Sequence, residues 1–234
     1  MNKGRYGYRR ITQTLRNEGY VISEKTVRKL MKESGIKCMV RVKKYRSYKG
    51  EVGRIAPNLL ARNFNADSPC QKLVTDVTEF SLFGVKRYLS PVMDMFNGEI
   101  IYYTLYEHPV LDMVMDMMRG TVKKIGSSTG AVLHSDQGWA YQNKKYQKYL
   151  QENGFSQSMS RKGNCLDNSM MENFFGLLKS ELLYLQDFKS VEDFEEQLHE
   201  YIRYYNEDRI KTRLNGMSPV RYRQEYERNH ESAW

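Results

Sequence analysis

The sequence predicts an α/β fold: a mixed five-stranded sheet flanked by helices and preceded by a small, basic helical segment. Two observations predict the sheet. Three β-rich runs, 73–80, 87–95 and 99–105, are separated by Phe83-Gly84 and Asn97-Gly98, pairs that suit hairpin turns. Beyond them the pattern alternates helix, strand, helix, strand, which lays helices on the sheet. The basic segment follows from charge. Residues 1–62 hold 17 Lys/Arg against 4 Asp/Glu, a net of +13, whereas residues 63–234 hold 20 against 24, a net of −4. A basic head on a slightly acidic body predicts a head that touches a polyanion and a body that uses carboxylates.

The head reads as two short helices. Tyr8, Ile11 and Leu15 form one apolar stripe that stops at Gly19; Ser23 caps a second helix with Val27, Leu30 and Met31 inward and Gly35 as its stop. Lys25, Thr26, Arg28, Lys29 and Lys32 then face outward, the outline of a helix-turn-helix whose second helix suits a DNA major groove. Residues 1–46 are therefore taken as a DNA-binding segment. Residues 47–69, with scattered cations and breaks at Pro57 and Pro69, are taken as a basic linker. The body, 70–186, carries the three β-runs, a helix through Leu111, Val114, Met118 and Val122, a strand 131–134, a helix near 143–153, a strand 155–159 and a long helix near 168–185. An extension, 187–234, opens with a helix begun at Ser190, where Asp193 completes a capping box.

Composition narrows the chemistry. No run approaches ~18 apolar residues, so no membrane span is expected. The basic opening has no apolar segment behind it, so no secretory signal is expected, and a reducing cytoplasm is the default compartment. Three dispersed cysteines and four scattered histidines argue against a disulfide framework or a zinc site.

Three acids stand where chemistry would place them. Asp76 sits inside the first β-run, Asp136 ends the fourth, and Glu172 lies on the long helix. A carboxylate inside a strand is costly unless paired or metal-bound, and strand C-terminal ends are where open α/β sheets build sites. The 35 residues between Asp136 and Glu172 prove little alone in a chain with 10 Asp and 18 Glu. On the long helix Asn168, Glu172 and Lys179 share one flank of the stripe formed by Met171, Phe174, Phe175, Leu178 and Leu182, so Glu172 can lean toward both aspartates and Lys179 can meet a phosphate. Oxygen ligands without His or Cys suit Mg²⁺ or Mn²⁺, and two such ions clamp the attacking and leaving oxygens of a phosphoryl transfer without a protein nucleophile. Other acids have plainer roles: Asp94 structural or supporting, Glu79 facing away, Asp112 and Asp116 offsetting a helix N-terminus, Asp167 capping the long helix. His134 is expected in a packed, hydrogen-bonded role rather than a catalytic one.

Together, Thr75-Asp76-Val77-Thr78-Glu79-Phe80, His134-Ser135-Asp136-Gln137-Gly138 and Asp167-Asn168 through Glu172-Asn173-Phe174-Phe175 to Lys179 resemble the core of OrfB-type bacterial insertion-sequence transposases, in the retroviral-integrase superfamily with its Asp, Asp-35-Glu signature. Gly4-Arg5-Tyr6-Gly7-Tyr8-Arg9-Arg10-Ile11 resembles the family's helix-turn-helix, and Tyr204-Tyr205-Asn206 through Arg209 to Ser218-Pro219 resembles its ending. The resemblance implies a ribonuclease-H-like core, divalent metal held by Asp76, Asp136 and Glu172, and cutting and joining of element ends. It places Lys179, Arg161 and Lys162 beside the DNA, with Arg9 and Arg10 in the head. It also implies double-stranded DNA partners, a homo-multimer on DNA, and a bacterial, nucleoid-associated protein. Because the chain opens almost directly at Gly4, an upstream partner frame is a further expected partner, and a truncated, catalytically silent DNA-binding regulator is the alternative.

Overall fold

The computed structural model describes residues 3–40, 55–61, 63–127, 130–161 and 165–231. Most linker cations and Lys162 lie outside these residues. Compact units do not follow chain order: Met1–Lys43 joins Gly176–Trp234 in one, and Lys44–Phe175 forms the other.

The second unit holds the sheet. Its strands are β1 (Lys72–Thr75), β2 (Thr78–Leu82), β3 (Val85–Asp94), β4 (Ile100–Tyr106), β5 (Ala131–Ser135) and β6 (Phe155–Met159), with α3 (Leu111–Ile125) and α4 (Lys144–Glu152) between them. Six strands stand where five were expected because the first run is split at Asp76-Val77. β1 and β2 nevertheless share one antiparallel register on β3, Thr75 opposite Val92 and Thr78 opposite Leu89. That register sets Asp76 opposite Pro91, which has no N–H to give the ladder, so pairing lapses there. Counting β1 and β2 as one interrupted strand gives the order β4-β3-β1-β5-β6, with β1, β5 and β6 parallel. The first hairpin turns at Phe83 and Gly84, both at positive φ (52° and 78°), the pairing a tight two-residue turn demands.

Helices α3 and α4 bury one face of this sheet. Leu73, Leu133, Met113, Met117, Tyr141, Tyr146, Leu150 and Phe155 form a continuous core there. Residues 55–61, expected within a connector, run along the β6 edge instead. Met159 N donates to Pro57 O (3.3 Å), Leu59 N to Ser158 Oγ (2.9 Å), and Asn58 Nδ2 to Asp167 Oδ2 (3.1 Å). The first of these bonds occupies a backbone N–H that an open sheet edge would leave exposed.

In the first unit, α1 (Tyr8–Asn17) and α2 (Glu24–Glu33) join α6 (Val191–Glu207) and α7 (Pro219–Glu231). Ser23 Oγ accepts from Thr26 N (3.1 Å) and Ser190 Oγ from Asp193 N (3.2 Å), the two caps expected from sequence. Val27 is buried, but Leu30, expected inward, is 48% exposed, so the inward face of this helix is narrower than its apolar pattern. The unit is organised around Glu181, in a π-helical turn, Lys179–Leu183. Its buried carboxylate accepts from Arg209 Nη2 and Nε (2.7 and 2.8 Å), Tyr201 Oη (3.1 Å) and Arg10 Nη1 (3.3 Å), while Arg5 Nε donates to its carbonyl (2.9 Å). Burial pushes this carboxyl up, yet Arg209, Arg10 and Tyr201 outweigh burial and hold it below the ordinary glutamate value. One carboxylate thus ties the first residues of the head to the C-terminal helices.

Candidate active site

Strand registry brings the two aspartates together. On the parallel pair β1–β5, Leu73 lies beside Leu133 and Val74 beside His134. The same offset sets Asp76 beside Asp136, each one residue beyond the carboxyl end of its strand. Adjacent strands lie ~4.8 Å apart, so two half-buried carboxylates share the edge where open sheets place their sites.

Each aspartate is held by the turn it begins. Asp76 Oδ1 accepts from Val77 N (2.8 Å), and Asp136 Oδ1 accepts from Gly138 N (2.8 Å). Gly138 has no room for a side chain: a Cβ there would stand 2.9 Å from Asp136 Oδ1 and 3.2 Å from the Tyr141 ring. Burial raises the Asp136 carboxyl above its ordinary value, partly opposed by the Gly138 N–H. The Tyr141 phenol is pushed well up, first by burial and then by the charges of Asp76 and Asp136, so both carboxylates act on one neighbourhood.

Glu172 arrives by helix. A 3₁₀ turn, Cys165–Asn168, leads into α5 (Ser169–Leu178), and Asn168 Nδ2 donates to Asp76 Oδ2 (3.1 Å). Glu172 stands four residues on, about one helical turn, on the side of the helix that Asn168 presents to Asp76. Met171, Phe174, Phe175 and Leu178 are buried as their spacing predicts, which fixes the helix's rotation and leaves Glu172 half-buried. Burial raises its carboxyl as well. Raised carboxylates and all-oxygen donors suit a hard divalent cation, whose charge would offset the cost of their burial. Among the described residues no group of three or more His, Cys, Asp or Glu side chains is drawn close enough to hold an ion.

The remaining sequence-predicted residues fall in different settings. Lys25, Thr26, Arg28, Lys29 and Lys32 are exposed on α2, although Lys29 pairs with Glu33 (3.8 Å) and Thr26 Oγ1 shares a hydrogen bond with Ser23 (2.8 Å). Arg9 is exposed over the Tyr8 ring, whereas Arg10 is turned to Glu181. Lys179 opens the π-turn, in the other unit from Glu172. Arg161 grips the buried Asp167 through N, Nε and Nη2 (3.0, 3.1 and 3.1 Å). Asp167 is therefore committed to Arg161 and Asn58. Asp94 accepts from Cys70 N and Phe96 N (2.8 and 3.0 Å), a structural role. Glu79 is exposed and pairs with Lys86. His134 is buried, its Nδ1 sharing a hydrogen bond with Ser158 (2.8 Å) and its pKa lowered by burial.

Comparison with known proteins shows the family and the fold. Residues 66–165 and 172–226 match the family described as an integrase core domain, and residues 1–44 match an HTH-like domain. The chain is 52% identical over 222 residues to the putative transposase InsK for insertion sequence element IS150 of Escherichia coli, across 95% of this chain and 78% of that protein. It is 50% identical over 202 residues to an uncharacterized transposase-like protein of Haemophilus influenzae, across 86% and 93% of the two. The HTLV-2 integrase catalytic core domain, solved in complex with magnesium, has the same fold: TM-score 0.56 at 16% identity, over 67% of this chain and 98% of that one.

Proposed function

The chain belongs to the OrfB-type insertion-sequence transposases, DNA strand transferases with an integrase core, and from that premise we propose how its residues divide the work. Asp76, Asp136 and Glu172 are the catalytic carboxylates. The observation that carries this assignment is the register that sets Asp76 beside Asp136, together with the Asn168 bond that lands the Glu172 helix on Asp76.

These three residues would hold Mg²⁺ or Mn²⁺, two ions in the active complex. When bound, the ions make an attacking water or DNA 3′-hydroxyl more acidic and stabilise the departing 3′-oxygen. The protein's part is positional. The Val77 and Gly138 N–H groups each fix one oxygen of an aspartate, and the buried stripe of α5 fixes the direction of Glu172. Exposed cations on α2 and Arg9 meet phosphates of the element end, with Thr26 at a base edge. Lys179, Arg161 and Lys162 serve the DNA near the reacting phosphate, Arg161 while also holding Asp167; Arg10 shares its charge with Glu181.

Joining an element's two ends to a target requires both ends to be held at once, so the working form is a homo-multimer on double-stranded DNA, assisted by the product of an upstream frame. Its place of action is the nucleoid in the bacterial cytoplasm. No helix among the described residues is long and apolar enough to cross a membrane. The test is Asp76→Asn and Asp136→Asn, each assayed for joining of pre-cut ends in Mn²⁺. Loss of joining with DNA binding retained is expected, and unchanged turnover in either variant overturns the assignment.

A further inference from the structure

Asn168 is 5% exposed, and its two polar atoms are in opposite situations. The amide nitrogen donates to Asp76 Oδ2 (3.1 Å), while the buried carbonyl oxygen, Oδ1, has no hydrogen-bond partner among the described residues. Flipping the amide would not help, because it would set oxygen against the Asp76 carboxylate and forfeit the bond to Oδ2. A buried acceptor left open beside a carboxylate is unusual and calls for a donor.

Asp76 supplies the context. Its Oδ1 is held by Val77 N and its Oδ2 by Asn168, so the carboxylate is fixed in orientation. A hard cation on Asp76 would keep several of its waters, and these are strong donors. Groups that orient a ligand and receive such waters set metal affinity without touching the metal. We propose that Asn168 is a positioning residue for the metal-binding carboxylates: its amide aims Asp76, and its open carbonyl oxygen accepts a hydrogen bond from a metal-bound water. This inference rests on the assignment of Asp76 as a metal ligand. It also gives the α5 start a function, since the same amide that aims Asp76 delivers Glu172 one turn later.

The simpler account is that Asn168 only ties the start of α5 to Asp76 in the fold, which predicts an altered melt but unchanged Mn²⁺ affinity. Mn²⁺ binding by the full-length chain is measured from the electron paramagnetic resonance of free ion, and thermal unfolding is followed in EDTA and in Mn²⁺. Asn168→Ala is expected to weaken Mn²⁺ binding by about 10-fold or more. Asn168→Asp, with a second negative charge against Asp76 and no donor, is expected to melt below wild type in EDTA and to recover in Mn²⁺. If Asn168→Ala binds Mn²⁺ like wild type, or Asn168→Asp melts like wild type in EDTA, the positioning role is overturned. If wild type itself binds no Mn²⁺, the metal assignment of Asp76 fails first, and this inference falls with it.

Discussion

Replacing Glu181 with alanine should unfold the unit that joins the head to the C-terminal helices, and the structure sets the size of the effect. Glu181 and Arg209 side chains are 1% and 2% exposed, and the substitution leaves the Arg209 guanidinium buried without its carboxylate. Breaking a buried pair from one side costs about 3–5 kcal/mol. Tyr201 Oη also loses its acceptor. At about 4–8 °C per kcal/mol for a unit of roughly 100 residues, the melting temperature falls by about 12 °C or more. Replacing both partners, Glu181→Leu with Arg209→Met, removes the stranded charge and should recover most of that loss. The assay is hydrogen exchange of α1 and α6 with a thermal melt. Because the folded carboxyl sits below its ordinary value of 4.5, the pair's contribution is complete above about pH 4.5 and disappears as pH falls through the lower folded value. Unchanged protection of α1 and α6 in Glu181→Ala at neutral pH would refute the reasoning.

Three further outcomes are expected. Arg161→Ala should destabilise the sheet unit by about 1–3 kcal/mol, since Asp167 stays buried without the guanidinium that bonds both its oxygens; urea denaturation measures this, and Arg161→Lys should rescue little because only the guanidinium reaches both oxygens. Ser158→Ala removes the acceptor of Leu59 N and the partner of His134, so residues 55–61 should exchange faster at a cost of about 1–3 kcal/mol, read by hydrogen exchange and urea melts. Replacing Lys25 and Lys32 together with alanine should weaken DNA binding evenly across sequences and lower the salt-dependence slope by about 2, one per phosphate contact, as followed by fluorescence anisotropy.

What could be read from the sequence was what local pattern controls. Strand runs, the Phe83-Gly84 turn, the Ser23 and Ser190 caps and the buried stripe of α5 each depend on residues a few positions apart, and the structure has them. The candidacy of Asp76 and Asp136 was reachable because one is a carboxylate inside a β-rich run and the other ends one. The lapse at Asp76-Val77 was not, because its cause, Pro91, sits on the neighbouring strand. α7 escaped notice because its run of Arg, Tyr and Glu shows no clear apolar face, although Pro219 at its first position is a usable start signal. Glu181 gave no local sign either: between two leucine pairs it reads as a solvated flank, and only the fold brings Arg10, Tyr201 and Arg209 around it. Residues 55–61 look like a tether because their bonds go to β6 and Asp167, about a hundred positions away.

The most direct measurement is disintegration of a branched DNA substrate in Mn²⁺, which reverses strand joining without requiring the element's own ends. Wild type and Glu172→Gln are compared at matched folding and DNA binding. The account predicts resolved products from wild type and none from Glu172→Gln. Products of equal yield from both, or DNA binding by folded wild type with no resolution at any Mn²⁺ concentration, would contradict it.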